Sequence, residues 1–171
     1  ARVAKIPKPH GVYSLVSCEI FGPELERLVA RIFSGYRNHY SASSVFAHVN
    51  VAASYVDWTR HQLHDSTGEC WILQDSLGKD AALGLLDTRS PNSNEITLIG
   101  VEPNFRRSGV FAELLGHLTE VTRNSGKTQL VTSTQTTNIL SLRGLLKAGF
   151  HPMLSLNTLH ISKPGVVKRG K

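Results

Sequence analysis

Leu25, Leu28, Val29, Ile32 and Phe33 recur at i, i+3, i+4, i+7 and i+8. That spacing predicts a helix burying one face. Gly22-Pro23 opens it, because proline at the first helical position gives up an N–H that has no partner there anyway. Gly35 ends it. Upstream, residues 12–20 (VYSLVSCEI) form a β-rich run and a first strand. Residues 36–48 show no period and carry polar aromatics. Asn50 caps a second helix, striped by Val51, Tyr55 and Trp58 with Val56 and Leu63 beside them; Trp58 is expected in the core and Asp57 on the surface. Strands are predicted at 70–74 and 81–87, joined by a turn at 76–79, and at 95–101 after the turn signal SPNSN. Residues 111–123 read as a helix with Phe111, Leu114, Leu115, Leu118 and Val121 on one side, closed by Gly126. A strand at 127–134, a helix at 138–148 and a last strand at 153–161 complete the series. Hairpins mixed with crossovers predict an α/β (α+β) domain, one sheet with helices on both faces.

Composition changes this picture little. The chain has 171 residues, 40% apolar and 19% charged, which suits one compact domain over 11–162. Residues 1–10 and 163–171 read as basic tails and account for much of the net charge of +6. No apolar run approaches the roughly 20 residues of a membrane helix, so no membrane partner is expected. A nucleic-acid surface would interleave basic and aromatic residues on one face; none is visible, and a polyanionic small ligand suits the charge equally well. Cys18 and Cys70 lie in apolar stretches and are expected to be buried free thiols, with no metal site and a reducing, cytoplasmic compartment.

The chemistry concentrates in residues 96–118, ITLIGVEPNFRRSGVFAELLGHL. A buried strand ends at Val101, Pro103 breaks it, and the loop Arg106-Arg107-Ser108-Gly109 runs into an amphipathic helix. Unpaired N–H groups at a helix start, the helix dipole and two arginines make an anion site suited to a pyrophosphate. Gly109 lets the backbone come close to a phosphate.

The run V-E-P-N-F-R-R-S-G-V-F resembles the acyl-CoA-binding motif of the GNAT superfamily of N-acetyltransferases, with Val101, Pro103, Phe105, Arg106 and Gly109 matching. Phe111 departs, since Gly or Ala is usual there. Residues 138–150 (NILSLRGLLKAGF) are similar to the family's N-x-x-[AS]-x-x-x-[YL]-x-x-x-G-F helix. The resemblance implies a GNAT fold, a central mixed and mostly antiparallel sheet of about six to seven strands with helices on both faces. It implies acetyl-CoA, or another acyl-CoA, as co-substrate. Ile99, Val101, Arg106, Arg107, Ser108, Gly109, Val110, Phe111, Asn138, Ser141 and Leu145 are its implied contacts, with the N–H of Val101 or Ile99 polarising the thioester carbonyl. The family's usual tyrosine acid is replaced here by Leu145.

Residues 36–42, 49–63 and 134–138 are more loosely similar to sugar-nucleotide N-acetyltransferases of the TDP-fucosamine type. The expected reaction is attack of a small-molecule primary amine, an amino-deoxysugar nucleotide among the options, on the thioester without a covalent enzyme intermediate. His39 and Glu95 are the candidate bases, and Tyr40 is the candidate acid in place of Leu145. His160 reads as structural. A homodimer is compatible with this reading. A GNAT-fold binding or regulatory module with weak or no catalysis is the alternative.

Overall fold

The computed structural model describes residues 12–36, 38, 46 and 48–157. Five strands form one sheet in the order β1-β2-β3-β4-β5: β1 Ser14–Cys18, β2 Gly68–Gln74, β3 Asp80–Asp87, β4 Ser93–Val101 and β5 Gln129–Thr132. The first four are successively antiparallel, and β5 joins β4 in parallel. Helices α1 (Pro23–Phe33) and α2 (Val51–His64) link β1 to β2. Helix α3 (Val110–Asn124) crosses from β4 to β5, and α4 (Ile139–Lys147) follows β5.

The apolar periods place these helices on opposite faces. On one face Leu25, Leu28, Val29, Ile32 and Phe33 of α1 and Val56 of α2 pack with Ile72, Leu83, Leu85 and Leu98. On the other, Val110, Leu114, Leu115 and Leu118 of α3, Leu145 of α4 and Ala148 just after it pack with Leu73, Ala82, Leu86 and Ile96. Strand β3 is covered on both faces and is buried at all six interior positions. It therefore reads as an unbroken apolar run rather than an alternation. Gly84 is small because α3 lies close: a Cβ there would stand 2.8 Å from Leu118 Cδ1.

Most expected elements are present, and Asn50 does cap α2 by accepting the Ala53 N–H at 3.1 Å. Three expectations need correction. Trp58 is 55% exposed; its indole N–H donates to Gln62 Oε1, so the ring lies along the helix instead of in the core. Residues 153–157 lie in no strand and are exposed, and 158–161 fall outside the described residues, as does His160. The sheet thus has five strands among the described residues, not six or seven. Cys70 is buried, whereas Cys18, opposite it in the β1–β2 register, is half-buried. Burial, reinforced by the neighbouring Cys18, pushes the Cys70 thiol far up, which makes it inert. Among the described residues no helix is long and apolar enough to cross a membrane, and no cluster of potential metal ligands occurs.

Candidate active site

The site begins with one extra residue. Leu85 of β3 pairs with Leu98 of β4, and the next residue, Leu86, pairs with Ile96. Thr97 is left over and forms a β-bulge, which bends a strand and raises its twist. It also explains why Ile96 and Leu98, two apart, face opposite cores. The pairing of β4 with β5 ends at the same place, at Ile96 and Thr132, where the Thr132 hydroxyl donates to the Ile96 carbonyl at 3.1 Å. Beyond it β4 continues for five residues against β3 alone. Two parallel strands therefore part at their carboxyl ends, the place where open α/β sheets take ligands. The Thr97 hydroxyl donates to Gln62 Oε1 at 2.8 Å, and a side-chain amide of α2 fixes the bulge.

Past Val101 the chain turns through a 3₁₀ segment, Pro103–Phe105. Glu102, only 5% exposed, accepts the backbone and side-chain N–H groups of Asn104 at 2.8 and 3.1 Å. Arg107 follows at φ 66° and Gly109 at φ 87°. The left-handed region suits glycine and strains arginine. The N–H groups of Arg107, Ser108, Gly109, Val110 and Phe111 have no hydrogen-bond partner among the described residues, and no side chain caps the start of α3. Five free donors, the helix dipole and an exposed guanidinium at Arg107 converge on one spot, which is what an anion requires.

The two arginines have different roles. Arg106 donates through Nε to the Val101 carbonyl at 3.3 Å and through Nη2 to the Ile32 carbonyl at 2.9 Å. It ties the last turn of α1 to the end of β4. The Ser108 hydroxyl donates to the Phe105 carbonyl at 2.6 Å. Phe111 is matched by Gly144 of α4, where a Cβ would come within 2.7 Å of its ring. The bulky residue at 111 thus fills the α3–α4 contact.

The other expected residues divide. Ile99 and Val101 lie on the parted segment, half-buried. Asn138 stands at the start of α4; its Oδ1 accepts the Ser141 N–H at 3.3 Å and its Nδ2 donates to the Tyr36 hydroxyl at 3.2 Å. Leu145 is 7% exposed and belongs to the α3 core, against which Ile99 and Val101 of the parted segment also pack. Glu95 precedes the bulge, exposed, six residues and about 20 Å of extended strand from Val101. It borders a shallow cavity with Asp87, Arg89, Ser90, Ser93 and Val131, one residue before the strands part. His39 and Tyr40 lie outside the described residues. Thr97 and Gln62 were not singled out by sequence reasoning, and a polar Thr within an apolar strand was the only available signal for the first. Tyr36 was read only as part of the aromatic segment 36–42, with no role of its own.

A family model described as the acetyltransferase (GNAT) family matches residues 29–150. A search of curated proteins found no match. Among solved structures, the chain is similar to a GNAT family acetyltransferase from Elizabethkingia anophelis with acetyl-CoA bound: TM-score 0.59, 16% identity, over 82% of this chain and 77% of that one. It is also similar to AAC(6')-Iy in complex with a bisubstrate analogue, CoA-S-monomethyl-acetylneamine: TM-score 0.63, 14% identity, 88% and 99% covered. A third is the aminoglycoside 6'-N-acetyltransferase AAC(6')-Ih from Acinetobacter baumannii: TM-score 0.59, 12% identity, 88% and 99% covered. With its parted parallel strands, its donor-rich helix start and this match over most of its length, the chain belongs to the GNAT acetyltransferase family.

Proposed function

We propose that the protein transfers an acetyl group from acetyl-CoA to the primary amine of a small molecule. The carrying observation is the pair formed by the opening beyond Thr97 and the five free N–H groups at the start of α3. Beyond Ile96, β4 has no partner on its β5 side, which suits an extended pantetheine arm pairing with it. The start of α3 suits the pyrophosphate, with Arg107 adding charge. An N–H of Val101 or Ile99 polarises the thioester carbonyl. The amine then attacks the carbonyl carbon, the tetrahedral oxyanion collapses, and the CoA sulfur leaves with its electron pair. The two aminoglycoside enzymes with the same fold act on amines of small sugars by name, in keeping with an amino-sugar acceptor. An amino-deoxysugar nucleotide is the narrower form of that reading. Calorimetry with acetyl-CoA tests it: saturable binding, weakened by Arg107→Ala, is expected, and no heat with either protein overturns it.

Leu145 favours a second reading, a module that binds acetyl-CoA with weak catalysis, because an alkyl group in the core cannot protonate a thiolate. Turnover against a panel of small amines separates the two.

A further inference from the structure

The Tyr36 ring packs edge-on to Phe33 (centroids 6.0 Å apart) and Tyr55 (5.9 Å), on the α1–α2 face of the sheet. Phe33 in turn approaches the parted half of β4: a Cβ on Gly100 would stand 3.2 Å from its Cζ. The Tyr36 hydroxyl nevertheless reaches Asn138 at the start of α4, which packs with α3 on the opposite face. Groups based on opposite faces can meet only past the sheet's edge or where its strands have separated. Gly100 and Asn138 both follow the point where β4 and β5 part, and a place for the hydroxyl at that opening is part of the proposal that follows.

Its hydrogen-bonding state is equally specific. Tyr36 Oη accepts from Asn138 Nδ2, and among the described residues nothing accepts the Tyr36 proton. A hydroxyl that accepts one hydrogen bond is a better donor of another. Asn138 cannot turn away freely, because its Oδ1 holds the Ser141 N–H and caps α4.

We propose that Tyr36, positioned by Asn138, donates its proton to the departing CoA sulfur. This rests on the acetyl-CoA reading above. As the C–S bond breaks, sulfur keeps the electron pair and takes the Tyr36 proton. The amine nitrogen, now bonded to the acetyl carbon, loses its surplus proton to solvent, and the Tyr36 phenolate recovers one from solvent. The products are the amide and CoA thiol, with the side chain restored.

The test needs no acceptor. The affinities of CoA and acetyl-CoA are measured by calorimetry between about pH 7 and 9.5, across the thiol's range near 8.5. Acetyl-CoA controls for every titration except that of the thiol. A donor at the sulfur favours the bound thiolate, so the preference for CoA over acetyl-CoA should rise about tenfold with pH in the parent. Tyr36→Phe keeps the ring packing and should flatten the rise. Asn138→Ser keeps a helix cap, loses the reach to Tyr36, and should flatten it too. If both ligands bind but all three proteins show the same pH course, Tyr36 is not the donor and the acetyl-CoA reading survives. If neither ligand binds the parent, that reading falls and takes this one with it.

Discussion

On the N-terminal side of Thr97, β4 is hydrogen-bonded to both β3 and β5. Asn94 there is 1% exposed; it donates to Thr122 and accepts from Lys127. On the C-terminal side β4 keeps β3 and loses β5, and Ile99, Gly100 and Val101 are only half-buried. One half is sealed by burial and a paired polar network. In the other, no β5 residue pairs with β4, and apart from the Arg106 guanidinium on the Val101 carbonyl its free edge is left for a ligand. A single extra residue, held by Gln62, separates the two. Stability and binding should therefore divide along the same strand.

The largest effect belongs to the sealed half. Ile96→Ala should cost about 2–5 kcal/mol of stability, read by denaturant unfolding, while protein that remains folded keeps its acetyl-CoA affinity. At the open end the opposite holds. Arg107→Ala and Gly109→Asp should each weaken acetyl-CoA binding by about 1.5–3 kcal/mol, read by calorimetry. Arg107→Ala should leave the melting temperature nearly unchanged. Equal affinity in both variants would mean that the α3 start is not the pyrophosphate site.

At the boundary, Thr97→Val removes the hydroxyl's bond to Gln62 Oε1 and its longer one to the Leu85 carbonyl, but leaves Gln62 Oε1 paired with the Trp58 indole. A loss of about 0.5–1.5 kcal/mol of stability is expected, with weaker acetyl-CoA binding. A stable variant with parental affinity would show that the bulge does not depend on those bonds. The smallest effect lies at the far end of the sealed half. The Arg89 guanidinium bonded to Asp87 holds that carboxyl below its ordinary value. A lowered folded-state value adds stability above the unfolded value and loses it as pH falls through the folded one. Arg89→Ala should thus destabilise slightly at neutral pH and not at all in strong acid, with acetyl-CoA affinity untouched.

The helices and most strands were legible because their apolar positions repeat against cores that cover whole faces. Leu25 to Phe33 and Leu114 to Leu118 name their helices without any partner. The donor-rich start of α3 was legible as well, since its N–H groups come from one continuous loop. What escaped depends on pairing across the chain. The bulge at Thr97 exists only relative to β3, and its one local sign, a polar Thr within ITLIGV, does not tell a bulge from a regular strand. The Tyr36–Asn138 bond joins residues 102 apart. Trp58 was misplaced because its apolar ring outweighed its N–H, which finds Gln62 one turn along the helix. Leu145 shares a turn spacing with Asn138, but the close α3–α4 contact takes it into the core. Alternation at 153–157 resembles a strand, yet a strand needs a neighbour, and there it has none among the described residues.

The division of β4 is tested most directly by following backbone amide NMR signals during titration with acetyl-CoA. The account predicts saturable shifts concentrated at Leu98–Val101 and Arg107–Phe111, with Ser93–Ile96 nearly still. Shifts centred on Ser93–Ile96, or none that saturate, would contradict it.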